Sequence, residues 1–201
     1  MTSVLDVPLV DAMTYEEYRA LIDRLLAEGK TTSGEPTANQ LEDTKLNVRR
    51  MNRLDQTIEL TGKLTRALGA LKQAQTWLVL SEGWCGDAAQ TVPMIAKAAA
   101  ASACVTMRVI LREKNPSVMD RFLTDGTRSI PIVIMLEPGS NRVLGVWGPR
   151  PVPALALVAE YKSIPGWSKE AMLTALHTWY AKDKTLSAQH ELAALVRAVS
   201  A

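Results

Sequence analysis

Cysteine and histidine are scarce, with two of each among 201 residues. Two cysteines cannot build a disulfide framework, and two histidines cannot by themselves supply a zinc site at the usual ligand spacings. Neither a metal nor another cofactor is therefore expected, and what remains is one or two thiols in a reducing compartment. An excess of charge of one sign is also lacking. The 23 Lys and Arg face 21 Asp and Glu, which leaves nothing to clamp a polyanion and argues against a nucleic-acid partner. Long hydrophobic runs are missing too: stretches such as Ile130 to Leu136 fall far short of the ~20 residues that cross a bilayer. The first twenty residues carry Asp6, Asp11, Glu16 and Glu17 in place of the basic and apolar regions of a secretory leader, so no membrane association and a cytoplasmic location are expected. There is no internal repeat and no low-complexity segment. The 47% hydrophobic and 22% charged composition is that of a chain able to bury one substantial core.

Apolar periodicity predicts a helix from Thr14 to Glu28, behind a Thr14-x-x-Glu17 capping box and ended by Gly29. A second is predicted from Asn39 to Leu71, broken near Gly62 or Gly69. Thr76 to Leu80, Val105 to Leu111, Ile130 to Leu136 and Arg142 to Trp147 read as strands, the last two as a hairpin. Between them lie an alanine-rich helix from Cys85 to Ala101 containing Pro93, a short helix after Asn115-Pro116, and a helix ending near Tyr161. Ser168 to Ala181 and Ser187 to Val199 are two further amphipathic helices, expected to pack with the N-terminal ones. This order implies an α/β fold with a central mixed sheet, one parallel βαβ unit and an antiparallel hairpin. The expected organisation is a helical N-terminal extension over 1–73, an α/β core over 74–161, and C-terminal helices over 162–201 on the same domain.

Cys85 stands where a strand turns into a helix. The free N–H groups and partial positive charge of a helix N-terminus favour thiolate over thiol, so a lowered pKa is expected there. The plainer reading is a small capping or buried residue.

Trp84-Cys85-Gly86-Asp87-Ala88, Pro93 in the following helix and Ser129-Ile130-Pro131 together resemble the thioredoxin superfamily, with its W-C-G-x-C motif, kinked helix and cis-proline. The resemblance covers about 74–161 and implies a thioredoxin-like fold. It further implies a cis Ile130-Pro131 bond beside Cys85, with the Ile130 backbone as an edge for an extended substrate. By resemblance Cys85 is the nucleophile, and Trp84, Gly86, Asp87, Ile130 and Pro131 form the substrate-binding surface. Two positions depart from the family. Ala88 replaces the resolving cysteine, so no internal disulfide can close, and Val79 stands where many thioredoxins have a buried aspartate.

Among the remaining candidates, Cys104 follows a helix about 25 Å long at ~1.5 Å per residue, so a structural role at the far end of the sheet is expected. Asp87 and Glu82 are either solvated residues or shapers of substrate choice, and Arg128 is a candidate to offset them or to meet an acidic thiol. Trp84 is expected as an exposed flank of the thiol. Trp147, Trp167, Trp179 and Tyr180 are expected as core or helix-packing residues, and His177 and His190 on the surface. Arg49, Arg50 and Arg53 read as a solvated helix face. Two functions compete: a single-cysteine thiol-disulfide oxidoreductase acting on a protein disulfide or a low-molecular-weight thiol, and a redox-inactive binding module for a protein partner. A homodimer through the added helices, with Met13, Met51 or Trp179 at its interface, is a further expectation.

Overall fold

The computed structural model describes residues 4–5 and 12–200; residues 1–3, 6–11 and 201, which fall in the expected N-terminal and C-terminal segments, lie outside the described residues. Helix α1 (Tyr15–Ala27) starts at the expected capping box, with the Thr14 side chain accepting from the Glu17 N–H and the Glu17 carboxylate accepting from the Thr14 N–H. Helix α2 (Ala38–Thr57) has an equivalent box at Thr37 and Gln40. Arg19 and Tyr15 of α1 meet Asp55 of α2.

The segment expected as a helix from 39 to 71, broken near Gly62 or Gly69, is two helices with the break just before Gly62. The chain leaves the helical conformation at Ile58 and re-enters at Gly62, where the Thr61 side chain caps α3 (Gly62–Gly69) by accepting from the Leu64 N–H. The break is held from outside. Gln189, fully buried, accepts from the Thr61 N–H at 2.7 Å and donates to the Glu59 carbonyl at 3.0 Å. Gln189→Leu strands these backbone groups and is expected to cost about 1–3 kcal/mol, measurable as a lower urea midpoint; an unchanged midpoint would show that solvent satisfies them.

The sheet is built from β1 (Gln75–Ser81), β2 (Val105–Leu111), β3 (Ile132–Leu136) and β4 (Val143–Trp147) in the order β2-β1-β3-β4. β1 and β2 are parallel, with Trp77 opposite Met107. β1 with β3, and β3 with β4, are antiparallel. β1 and β3 carry near-continuous apolar runs because both their faces are covered. Helix α4 (Gly86–Ala100) links β1 to β2 and buries Val92, Met94 and Ile95. Its small residues Ala88, Ala89, Ala98 and Ala99 are also buried. Pro93 lies within it, where it cannot donate to the preceding turn. The short α5 (Pro116–Met119) follows β2. None of the helices described is long and apolar enough to cross a membrane.

Three helices complete the chain: α6 (Val152–Ser163), α7 (Lys169–Asp183) and α8 (Leu186–Ala198). The last packs on α3 and β4, in keeping with the expectation for the C-terminal helices. Helix α7 packs mainly on α6, with an open cleft between it and α2. Helices α6 and α7 share a small apolar cluster of Ala154, Val158, Met172, Leu176 and Tyr180, separate from the main core. The reason lies in the pattern, since each helix offers one narrow apolar stripe, enough to cover the other. Of the residues expected at a dimer interface, Met51 is buried in the main core and the Met13 backbone pairs with Val109.

Candidate active site

β1 delivers the chain into the turn Ser81-Glu82-Gly83-Trp84, and the N-terminal helices immobilise that turn. The Tyr18 hydroxyl lies 2.9 Å from Ser81 Oγ. The Thr32 hydroxyl donates to the Glu82 carboxylate and accepts from the Gly83 N–H, while Asn47 Nδ2 donates to the Gly83 carbonyl at 3.0 Å. Glu82 is thus buried, not solvated, and also accepts from the Glu113 N–H. Burial raises its pKa against those hydrogen bonds.

Cys85 is the N-cap of α4, and its Sγ accepts from the Ala88 N–H at 3.5 Å. On its other side the thiol donates to the Ile130 carbonyl at 3.4 Å, directly before the cis Ile130-Pro131 bond. Cys85 is only 7% exposed and Ile130 only 5%. The lowered thiol pKa expected from the helix terminus is overturned: burial, followed by the Asp87 carboxylate, pushes Cys85 up to about 12, against the Ala88 and Asp87 N–H groups and Arg150. A helix terminus contributes at most about 2 kcal/mol, whereas removing a charge from water costs several.

Asp87 is likewise not solvated. It is buried, with its carboxylate 2.6 Å from Arg150 and accepting from the Tyr180 hydroxyl at 2.8 Å. Both partners come from beyond the strands: Arg150 from the loop before α6, Tyr180 from α7. Burial and the Asp87 carboxylate hold the Tyr180 hydroxyl well above the usual phenol range. Neither residue stands out in sequence as part of a site. The available signal is Arg150 itself, a lone charge in Gly148-Pro149-Arg150-Pro151.

His177 is half-buried, unlike the exposed His190. It lies over the start of α4, so that a Cβ on Gly86 would sit 2.9 Å from its Cε1. Glycine at 86 is what leaves room for the imidazole in this position. Burial and then Arg50 lower His177 to about 4, leaving it neutral near pH 7. Arg50 departs from the solvated face expected of it: it is half-buried and donates to Asn47 Oδ1, while Arg49 and Arg53 are exposed. Trp84 is half-buried, with the Arg112 guanidinium 4.8 Å above its ring, instead of forming an open flank. Arg128 pairs with Asp120 through two bonds of 2.7 and 2.8 Å, not with Glu82 or Asp87.

Cys104 lies at the opposite end of the sheet from Cys85, half-buried, its thiol donating to the Leu71 carbonyl at 3.4 Å. Val79 is fully buried in the middle of β1, and Ala88 is buried at the resolving position. Trp147 is buried as expected and Trp179 half-buried against Tyr180, but Trp167 is exposed. No group of His, Cys, Asp and Glu fit to hold a metal occurs among the described residues.

These shifts set a stability profile. Unfolded His177 takes up a proton near its ordinary 6.5, the folded one only near 4, so stability is lost as pH falls through that interval. Unfolded Cys85 ionises near 9 and the folded thiol near 12, so stability is lost again as pH rises from 9 toward 12. Tyr18 and Tyr180, both raised by burial, add to this second limb at their higher ordinary value. Urea midpoints against pH should show both limbs, with Cys85→Ser removing the onset near 9; an onset identical in that variant excludes the thiol as its source.

A four-stranded sheet with a cysteine capping the helix after β1, facing a cis-proline before β3, defines a thioredoxin-like protein. A family model described as thioredoxin matches residues 34–162, and the chain belongs to that family. The match begins at the start of the α2 segment, earlier than the expected 74, so α2 and α3 lie inside the family region. Two solved structures share the fold. One is a protein of unknown function from Pseudomonas aeruginosa, with 19% identity, TM-score 0.55, and coverage of 92% of this chain and 97% of that one. The other is an HIV epitope-scaffold, with 17% identity, TM-score 0.52, and coverage of 92% and 98%. No curated protein matches.

Proposed function

We propose that the protein is a single-cysteine thiol-disulfide oxidoreductase, with Cys85 as nucleophile. The observation that carries this reading is the placement of Cys85 Sγ at the α4 N-cap, 3.4 Å from the Ile130 carbonyl and beside Pro131. In the reaction the Cys85 thiol gives up its hydrogen bond to Ile130, loses its proton to solvent and attacks one sulfur of a substrate disulfide. A Cys85–substrate disulfide forms and the other sulfur leaves as thiolate. Since Ala88 cannot resolve it, an external thiol attacks next, takes the substrate sulfur into a new disulfide and returns Cys85 as thiolate. Trp84, Gly86, Asp87, Ile130 and Pro131 surround the attacked sulfur. The substrate is a protein disulfide or a low-molecular-weight disulfide, and the cytoplasm, with its thiol supply, is the compartment that suits release.

Incubating Cys104→Ser protein with glutathione disulfide should yield a mixed disulfide on Cys85 by intact mass, absent in Cys85→Ser. Iodoacetamide should alkylate Cys85 at a rate that rises about tenfold per pH unit from 7 to 10 without a plateau, because only thiolate reacts. A plateau near pH 7 would contradict the buried, protonated thiol. Val79 and Ala88 favour a second reading, a redox-inactive module that binds a protein partner, since both residues of internal resolution are lost. Absence of any mixed disulfide, even when Cys85 is accessible to alkylation, selects that second reading.

A further inference from the structure

Two stretches of chain meet at the thiol, the turn 81–86 and the loop 127–131, and the sheet does not hold them together there. The last β1–β3 pair is Leu80 with Ile132, where the ladder stops. Among the described residues, the one hydrogen bond that runs directly between the two stretches is the thiol's own, from Cys85 to the Ile130 carbonyl. Other polar anchors of each stretch face elsewhere. Thr32 and Asn47 hold the turn from the N-terminal segment, while Asp120 holds Arg128 and Thr124 pairs with Thr127 across the loop itself.

Arg112, the residue after β2, reaches both. Its N–H donates to the Ser81 carbonyl at 3.2 Å, which carries the β1–β2 ladder past its last pair. Its guanidinium lies 4.8 Å above the Trp84 ring, and Nη1 donates to the Arg128 carbonyl at 3.0 Å. The Trp84 indole N–H is buried with no hydrogen-bond partner among the described residues, so the cation on its face supplies the polar hold on that ring. The guanidinium is itself aimed. Nε and Nη2 both donate to the Glu113 carboxylate, and the Glu113 N–H donates to the buried Glu82 at 2.9 Å. All three nitrogens of the fork are thus in use, two for aim and one for reach, and the side chain keeps only 21% exposure.

We propose that Arg112 is a positioning residue: it ties the Trp84 turn to the loop that presents Ile130 and Pro131, and it holds the Ile130 backbone beside Cys85 once the thiol has let go of it. The proposal rests on reading Cys85 as the nucleophile. At rest the thiol's own bond keeps the loop in place. To attack, the thiol gives up that bond and its proton, and the thiolate then repels the carbonyl to which it had donated. At that moment the Arg112 bridge is the polar link left between nucleophile and edge, and an extended substrate needs both in place at once. Lysine cannot substitute, because one ammonium does not offer a flat face to the indole together with separate donors to Glu113 and Arg128.

The test compares two activated disulfides on the full chain in a Cys104→Ser background. One is a short blocked peptide whose cysteine is capped with 5-thio-2-nitrobenzoate; the other is 2-mercaptoethanol with the same cap. In each, the Cys85 thiolate bonds to the capped sulfur, the S–S bond breaks, the cap leaves as a coloured thiolate, and the Cys85 proton goes to solvent. Thiol pKa, burial of Cys85 and leaving group are common to both, so the ratio of the two rates reads what the peptide backbone adds. Arg112→Met keeps an unbranched stem on the indole and should lower that ratio about tenfold. An unchanged ratio overturns the proposal. So does full recovery in Arg112→Lys, which would make the effect one of charge alone. A second readout needs no redox chemistry. In Cys85→Ala, which lacks the thiol's bond, amide exchange over 127–130 should stay slow while Arg112 is present and quicken about tenfold when Arg112→Met is added. Equal rates overturn the bridge. If exchange responds in this way but neither disulfide reacts with Cys85, the bridge stands and the redox reading falls.

Discussion

Asp87→Asn should lower stability by about 2–3 kcal/mol and at the same time bring the Cys85 thiol down toward its ordinary pKa. The two effects have one source. The carboxylate is the second largest cause, after burial, of the raised thiol, and removing its charge removes that contribution. The same charge is the partner of Arg150, whose side chain keeps 24% exposure. Breaking a buried ion pair costs about 3–5 kcal/mol, and the partial exposure of Arg150 brings this case to the bottom of that range or just below it. Asparagine keeps an acceptor for the Tyr180 hydroxyl, so that hydrogen bond persists. Urea unfolding with Cys85 labelling against pH checks both halves. A variant that loses stability while its labelling profile stays unchanged would mean that burial alone sets the thiol, and one that loses none would mean that Arg150 is already solvated.

Gly148→Ala should be more damaging, costing at least about 3 kcal/mol by the combined strain of a forbidden backbone conformation and a steric clash. Gly148 has φ 125°, and a Cβ added there would lie 2.2 Å from the Pro131 carbonyl oxygen. That atom is backbone and cannot rotate aside. The loop leaving β4 is therefore pressed against the proline that faces Cys85, and relieving the clash must shift one or the other. Gly126→Ala is the matched control. Gly126 has φ 73° but open space around its Cα, so it should lose only about 1 kcal/mol, the cost of left-handed backbone by itself. Equal losses in the two variants would show that the contact at Gly148 relaxes freely.

How much of this was legible in sequence varied with the range of the interaction. Local signals carried well: the Thr14 capping box, the apolar runs of β1 and β3, the β3–β4 hairpin, and the motif that placed Cys85 at a helix start facing Ile130-Pro131. What failed was decided by contacts far along the chain. The helix break near Gly62 was legible, but what holds it, Gln189 some 130 residues away in sequence, was not. Burial of Asp87 depends on Tyr180, and burial of His177 on its contact with Gly86. The thiol pKa is the clearest instance. The helix terminus pulls it down as sequence suggests, but its burial in the core and the Asp87 carboxylate beside it push it up, and no local pattern reports the burial. Arg128 failed for a simpler reason, because Asp120, eight residues earlier, is within easier reach than the charges near the thiol.

The pairing of Met13 with Val109 has a consequence for the sheet as an assembly. β2 is an edge strand, and an edge strand offers a row of free N–H and C=O groups on which another chain can template itself. Met13 exchanges both backbone bonds with Val109, at 2.9 and 2.8 Å, midway along β2. The protein therefore terminates its own ladder. A foreign strand cannot extend the sheet in register past that point, and neither strand-by-strand polymerisation nor capture of an extended segment can proceed along this border while Met13 holds Val109.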